Sequence, residues 1–209
     1  MNDFFANKND NQKGLNNSNQ NFINPYLFGI LLSNSSFENK NFIRLSVSNG
    51  TVMDIVRLMV KDDISITLGE SSGFGKWHKL AFVEKGDNKI KNELSSIGLI
   101  EMSDEHIFMP NSIKSGGDDV KTSFLLGLLD GDGTYCIQEG DIPGLIKFYT
   151  KSKQFYKDIE FLVNSLKGKT SAVHSSGYWD INIYLPFPIS LYKENSTEKA
   201  TIVTMLPKK

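Results

Sequence analysis

The chain has few of the residues that mark secreted, membrane-spanning or strongly basic proteins. Cys136 is the only cysteine among 209 residues, so no disulfide can form within the chain. There is no apolar run of about 18 residues and no charged-then-apolar leader, which predicts an intracellular protein without a membrane partner. Arginine occurs only at Arg44 and Arg57, which is few for a protein that reads guanine edges. Because the net charge is −1, any binding to nucleic acid requires a local basic patch.

The length and the apolar content allow one large domain or two small ones with real cores. Residues 1–21 hold eight asparagines and almost no periodic apolar residues, which predicts a disordered tail. The globular pattern begins at Phe22. The predicted elements of the first half are a helix with Pro25 in its first turn that ends near Leu32, a strand at Phe42–Ser48, a helix at Val52–Val60 capped by Ser48 or Asn49, and strands at Ile64–Leu68 and Trp77–Val83 joined by a turn at Ser71–Gly75.

The second half repeats this order of elements. Gly29, Ser48, Gly75 and Trp77 match a glycine, a serine, a glycine and a tryptophan that follow 98 to 104 residues later. The fold class is therefore α/β (α+β), with two pseudo-symmetric helix–hairpin–helix–hairpin repeats, although two halves could share this order by chance. The predicted repeats are 22–117, which includes a linker, and 118–209. The predicted elements of the second half are Thr122–Leu129, Thr134–Glu139, Leu145–Tyr149, Phe155–Leu166, Thr170–His174 and Tyr178–Leu185.

Two aspartates stand where the helix of the second half is predicted to end. Asp130 and Asp132 are separated by one glycine and follow an apolar helix whose middle residue, Gly127, permits close approach of another backbone. Carboxylates at a helix C-terminus are locally unfavourable unless a cation offsets them, and their oxygens suit Mg²⁺ or Ca²⁺. The alternative interpretation is that Asp-Gly-Asp-Gly merely turns the chain into the hairpin that starts at Thr134.

This segment resembles the motif of the LAGLIDADG homing endonuclease family and reads Leu125-Leu126-Gly127-Leu128-Leu129-Asp130-Gly131-Asp132-Gly133. The resemblance covers residues 22–185 in pattern, but only these nine residues are specific. It implies two motif helices side by side at the centre, with Gly29 packed against Gly127 of the second helix. It also implies saddle-shaped sheets in the major groove of double-stranded DNA. It also implies metal-dependent cleavage with Mg²⁺ or another divalent cation, with Asp132 as metal ligand and Asp130 supporting the turn.

The first copy departs from the motif at the acidic position. Aligning Gly29 with Gly127 pairs Asn34 with Asp132, so a neutral amide replaces a carboxylate. The resemblance thus places a metal at Asp132, Gly131 and Asn34, with one unit of charge missing. It also places Lys85 near the cleaved phosphate, although this residue could be an ordinary solvated lysine.

Side chains on the polar phase of the strands are candidates for contacts to DNA, since alternate residues of a sheet face one side. Any amphipathic sheet has such a face, so these residues could also be ordinary surface positions. The candidates are Arg44, Ser46, Ser48, Lys76, His78, Gln138, Lys147, Asp180, Asn182 and Tyr184.

These observations favour a monomeric DNA-binding protein of the cytoplasm or nucleoid that cleaves or nicks DNA at specific sites. A non-enzymatic protein is the alternative: it would keep the scaffold, lack the catalytic site, and bind a protein, RNA or DNA partner. Asn34, the small net charge and the scarcity of arginine favour this alternative, because the site and not the scaffold performs chemistry.

Overall fold

A computed structural model describes eight stretches of the chain: 24–38, 42–47, 49–60, 64–72, 78–84, 89–96, 107–136 and 145–186. The predicted tail, Ser48, Lys76, Lys85 and Gln138 lie outside the described residues. Within these stretches, no helix is both long enough and apolar enough to cross a membrane.

The helices and strands follow the order predicted from the sequence. The first half contains α1 (Pro25–Asn34), β1 (Ser35–Glu38), β2 (Phe42–Val47), α2 (Gly50–Val60), β3 (Ile64–Ser72), β4 (His78–Glu84) and α3 (Lys89–Ser96). The second half contains α4 (Asn111–Lys114), α5 (Asp118–Asp132), β5 (Thr134–Cys136), β6 (Leu145–Thr150), α6 (Lys153–Ser165), β7 (Lys169–Ser175) and β8 (Tyr178–Tyr184).

Each half contains one four-stranded antiparallel sheet, and the two sheets share one topology. The strand order is β1-β2-β4-β3 in the first sheet and β5-β6-β8-β7 in the second. Strand β1, which the sequence analysis did not predict, completes the first hairpin by pairing with β2. The mixed helix-and-strand class with two repeats of helix, hairpin, helix and hairpin is therefore confirmed.

Polar side chains cap three helices, and the cap of α2 is one of the two that the sequence predicted. The Asn24 side chain accepts a hydrogen bond from the Tyr26 amide, and Pro25 occupies the first turn of α1. Of the two candidate caps for α2, Asn49 accepts a hydrogen bond from the Thr51 amide at 2.9 Å. Ser152 caps α6 by accepting a hydrogen bond from the Phe155 amide at 3.1 Å. These caps satisfy amides that have no partner inside their helices.

The strands bury one face of each sheet, as the alternating apolar residues predicted. In β2, Ile43, Leu45 and Val47 are buried, whereas Arg44 between them is exposed. The predicted turn at Ser71–Gly75 starts too early, because β3 continues through Ser72, which pairs with His78. We call the buried side of each sheet its inner face and the opposite side its outer face.

Helices α1 and α5 form the centre of the molecule and pack against each other along their backbones. A Cβ atom on Gly29 would overlap the Phe124 carbonyl oxygen, and one on Gly127 would overlap the Tyr26 carbonyl oxygen. The predicted contact of Gly29 with Gly127 is therefore confirmed. Beside the two glycines, the centres of the Phe28 and Phe124 rings lie 6.1 Å apart. Both rings belong to one apolar core that spans the two halves.

The segment that precedes α5 is held against α6 of the second half by buried polar groups. The Asp158 carboxylate is 4% exposed, accepts a hydrogen bond from the Met109 amide at 2.7 Å, and lies 2.7 Å from the Lys114 ammonium. Ser152 donates a hydrogen bond to the Ile107 carbonyl at 2.6 Å. Because a buried carboxylate needs such partners, these contacts fix how the chain enters α5.

We expect the substitution Gly127→Leu to lower the free energy of unfolding by at least about 2 kcal/mol, because its side chain has no space beside the Tyr26 backbone. Urea denaturation measures this difference. Gly117→Ala is the control, because a Cβ there would meet only the carboxylate of Asp119. Equal stability of the Gly127→Leu variant and the unchanged protein would contradict the close helix pair.

Candidate active site and nucleic-acid interface

The C-terminal ends of α1 and α5 lie together, and each carries one of the two motif positions. Asn34 is the last residue of α1, and Asp132 is the last residue of α5. The Asn34 amide nitrogen donates a hydrogen bond to the Gly131 carbonyl oxygen. The fold therefore brings together Asn34, Gly131 and Asp132, which the sequence analysis placed in one site.

The Asp-Gly-Asp segment is helical and does not form the turn into the hairpin. Helix α5 continues through Asp132, and Gly133 ends it by donating its amide to the Leu129 carbonyl at 2.8 Å. Gly131 is buried, and a Cβ atom there would overlap the hydroxyl oxygen of Ser33. The interpretation of this segment as a simple turn is thus wrong, because the close contact with α1 keeps its last residues in the helix.

Asp130 joins the two helices, whereas the sequence analysis expected it to support a turn. The Tyr26 hydroxyl donates a hydrogen bond of 2.7 Å to the Asp130 carboxylate. Burial raises the pKa of Asp130 from 3.8 to about 6, although the hydrogen bond from Tyr26 opposes this shift. Tyr26 was not among the predicted site residues, and its one signal in the sequence is a hydroxyl-bearing side chain in an otherwise apolar helix.

Asp132 has a different environment from Asp130. Its side chain remains exposed to solvent, and partial burial raises the pKa of its carboxyl above the ordinary value of 3.8. The last turn of α5 has no basic residue to offset the two carboxylates. Asp132 is therefore the accessible carboxylate at the junction of the two helices.

The residues at this junction fit a divalent cation at Asp132 but not at Asn34. The Asn34 amide nitrogen, a donor, is directed at the Gly131 carbonyl, which the sequence analysis had assigned to the metal. A cation needs acceptor oxygens, so this hydrogen bond occupies the place where an ion would bind. Among the described residues, no three His, Cys, Asp or Glu side chains gather into a metal cluster. Mg²⁺ is usually held by one or two carboxylates plus substrate phosphates, and Asp132 can supply one of them.

The outer face of the first sheet carries basic side chains. Arg44 and Lys79 are exposed on β2 and β4, and Ser46, which is half-buried, pairs with Lys79. The prediction that His78 faces solvent beside them is wrong. His78 lies on the inner face, because it is two residues from buried Leu80 on β4 and pairs with buried Val47 on β2. Lys79, which was not among the predicted contacts, lies on the outer face for the same reason.

The outer face of the second sheet carries the predicted residues Lys147, Asp180, Asn182 and Tyr184. Lys147 pairs with Asn182 across β6 and β8, and Tyr184 pairs with exposed Lys169 on β7. Their neighbours Ile146, Ile181 and Ile183 are buried on the inner face. Lys147, Asp180, Asn182 and Tyr184 therefore lie on the outer face, as the alternation of polar and apolar residues predicted. Of the other candidates, Ser48, Lys76, Lys85 and Gln138 lie outside the described residues.

Comparison with solved structures shows a LAGLIDADG-type fold. The chain superposes on I-DmoI in complex with DNA and Mn with a TM-score of 0.52 and 11% identity, covering 77% of this chain and 88% of that one. For the N-terminal LAGLIDADG domain of DUF199/WhiA the TM-score is 0.50 and the identity 10%, with 77% and 73% covered. The predicted resemblance is thus confirmed at the level of the fold.

Full-length DUF199/WhiA from Thermatoga maritima gives a TM-score of 0.52 at 11% identity over 77% of this chain. The chain spans about half of that protein, 49% of its length. I-DmoI has also been solved in complex with DNA and Ca, and that structure gives a TM-score of 0.51 at 13% identity, with 78% and 83% covered. No family model and no curated protein matches the sequence.

The raised pKa of Asp130 predicts a pH dependence of stability in the metal-free protein. The folded state binds a proton more tightly than the unfolded state, so the free energy of unfolding falls as the pH rises from about 4 to about 6. The fall attributable to Asp130 is at most about 3 kcal/mol, and it levels off above pH 6. Urea denaturation of the unchanged protein and of the Asp130→Asn variant across this range isolates the contribution of this residue.

A matched variant tests the cause of this shift. Tyr26→Phe removes the hydrogen bond that lowers the pKa of Asp130, so the carboxyl should titrate at a still higher pH. NMR titration of the carboxyl carbon measures this midpoint. A midpoint near 3.8 in the unchanged protein would show that Asp130 is not buried between the helices.

We expect Asn34→Asp to create a metal-dependent stability. The new carboxylate faces the Gly131 carbonyl, so two acceptors repel and the free energy of unfolding falls by about 1 to 3 kcal/mol without metal. Added Mg²⁺ or Mn²⁺ should restore the melting temperature, because a cation can bind both oxygens. Asn34→Ala, which removes the amide without adding charge, should be destabilised but should not respond to metal. If metal leaves the melting temperature of Asn34→Asp unchanged, Asn34 and Gly131 do not form a potential metal site.

Proposed function

We propose that this chain binds double-stranded DNA as a monomer, with the outer faces of its two sheets along the major groove. Support comes from the charge of these faces. Their described side chains include five cations, Arg44, Lys79, Lys147, Lys151 and Lys169, and one carboxylate, Asp180. The whole chain has a net charge of −1, so the excess of cations among these described side chains is a local feature.

The two repeats, 22–117 and 118–209, would each contribute one sheet to this surface. A two-stranded or larger β-structure can enter the major groove, where base edges differ between the four base pairs. Because the sheets share one strand order, α1 and α5 reach the DNA from related positions. A DNA substrate is consistent with a protein of the cytoplasm or nucleoid.

The proposed reaction is hydrolysis of one phosphodiester bond at the junction of α1 and α5. Asp132 would hold one divalent cation, Mg²⁺ in the first instance, together with the phosphate. When bound, the cation supplies charge stabilisation for the attacking and leaving oxygens. Asn34 holds the Gly131 carbonyl in place, and Tyr26 with Asp130 fixes the relative position of the helices. Lys85, which lies outside the described residues, remains a candidate for contact with the phosphate.

The hydrogen bond between Asn34 and Gly131 is the observation that favours cleavage of one DNA strand over cleavage of two. One accessible carboxylate and one amide face the junction, so only one half of the site can hold a cation. Cleavage of both strands needs equivalent chemistry at two phosphates. Nicking of one strand is therefore the activity that this site supports best.

A second candidate function is binding without cleavage, on a DNA, RNA or protein partner. The specific observation in its favour is the same amide, because Asn34 satisfies the Gly131 carbonyl without any metal. In that case the junction would serve only to hold the two halves together.

Plasmid cleavage separates these functions. A binding site is first selected by the protein from a random duplex library, then placed in supercoiled plasmid and incubated with Mg²⁺. We expect nicked circles from the unchanged protein, no product from Asp132→Asn, and more linear product from Asn34→Asp. Efficient linearisation that persists in Asp132→Asn would overturn the assignment of this site, and absence of any product would favour binding without cleavage.

Binding to duplex DNA should weaken steeply with salt, because each neutralised phosphate releases counterions. Lys147→Ala and Lys169→Ala remove cations from the outer face, so each should reduce the slope of log affinity against log salt by about 1. Lys153→Ala is the matched control, since Lys153 is an exposed lysine of α6 on the other side of the second sheet. No binding to mixed-sequence duplex at about 50 mM salt would contradict the proposed DNA interface.

A further inference from the structure

Among the described residues, three of the four exposed tyrosine and phenylalanine rings lie on one surface, the outer face of the second sheet. Three tyrosines there, Tyr149, Tyr178 and Tyr184, are 45%, 45% and 36% exposed. Val173, 63% exposed, lies on the same face. Of the described large apolar residues with such exposure, only Leu58 and Phe161 lie elsewhere. Single exposed apolar residues are ordinary, but a cluster on one face indicates an interaction surface.

Strand register places two of the rings beside each other. Tyr149 of β6 pairs with Asp180 of β8, and Tyr178 lies two residues before Asp180 on the same strand. Side chains in such diagonal positions are about 7 to 8 Å apart, within reach for aromatic rings. The Lys151 ammonium lies 5.4 Å from the centre of the Tyr178 ring. We call Tyr149, Tyr178 and Tyr184 the tyrosine face.

The charge around the tyrosine face suits a polyanion. Lys147, Lys151 and Lys169 lie on this face, where the one described carboxylate is that of Asp180. The Oδ1 atoms of Asp180 and Asn182 are shielded by neighbouring side chains and have no hydrogen-bond partner among the described residues. Because these two oxygens are shielded, a ligand does not reach them, and the contacts open to a polyanion are those of its phosphates with the lysines.

Tyrosine rings bind unpaired bases better than paired ones. In a duplex each base is covered by its neighbours and shows only its edge, so a ring on the protein finds no base face to stack on. An unpaired base exposes both faces, and stacking on an aromatic side chain contributes about 1 to 3 kcal/mol per base. The outer face of the first sheet has exposed Arg44 and Lys79, and its described residues include no exposed aromatic ring. The two sheets therefore differ in the state of DNA that they suit.

We propose that the tyrosine face binds unpaired bases of single-stranded DNA, with successive bases stacked on Tyr149 and Tyr178 and phosphates near the lysines. This inference rests on the proposed function, because it concerns the same DNA-binding surface. It adds a preference of the second sheet for a strand that is locally melted, nicked or frayed. DNA is chosen over RNA because this surface is continuous with the proposed duplex interface at Lys147 and Asn182.

Fluorescence anisotropy of the full chain tests this proposal with labelled 12-nucleotide DNA of mixed sequence, the matching duplex and the matching RNA. We expect Tyr149→Ala and Tyr178→Ala each to weaken binding to single-stranded DNA by roughly 5-fold to 150-fold. Tyr149→Phe keeps the ring and should bind within about 2-fold of the unchanged protein. Phe161→Ala is the control, because it removes an exposed ring from α6 and leaves the tyrosine face intact.

The outcomes separate this proposal from the duplex interface. Binding to duplex without binding to single strands would overturn the tyrosine face and leave the proposed function standing. Binding to single strands without duplex binding would support the tyrosine face and contradict the duplex interface. Equal affinity of the two alanine variants and the unchanged protein, or tighter binding to RNA than to DNA, would overturn the proposal. Thermal denaturation checks that each variant folds, as expected for exposed positions.

Discussion

The contact between the backbones of α1 and α5 is the constraint on which the rest of this structure depends. Gly29 and Gly127 let the two helices approach so closely that neither position has room for a Cβ atom. Apolar side chains from both halves then close one core around the pair. Because each helix leads into its own sheet, the crossing of α1 and α5 also fixes how the two sheets are placed.

The chemistry at the helix ends follows from that close approach. Ser33 lies against Gly131, so the last turns of both helices are in contact and Asn34 reaches the Gly131 carbonyl. The same approach places Asp130 beside Tyr26 and removes much of its contact with water, and this loss of solvation raises the pKa of its carboxyl. Two aspartates two residues apart thus have different roles. One, Asp130, is a half-buried link between the helices, and the other, Asp132, is an accessible carboxylate.

The two sheets are alike in topology but differ in the chemistry of their outer faces. Their strand order is the same, so the fold supplies two related platforms. The first outer face carries the exposed cations Arg44 and Lys79, whereas the second carries three exposed tyrosines and three lysines. Pseudo-symmetry therefore governs the scaffold, and the individual side chains on each face govern what it can bind.

The sequence by itself determined the repeated order of elements, the helix contact at Gly29 and Gly127, and the substitution at Asn34, since apolar periodicity and motif spacing are local properties. Only the tertiary structure decided the partners of Asn34 and Asp130, which lie 97 and 104 residues away from them. It also decided that His78 faces inward and Lys79 outward. A strand's phase is set by the neighbour with which it pairs, and His78 pairs with Val47, which lies far from it in the sequence.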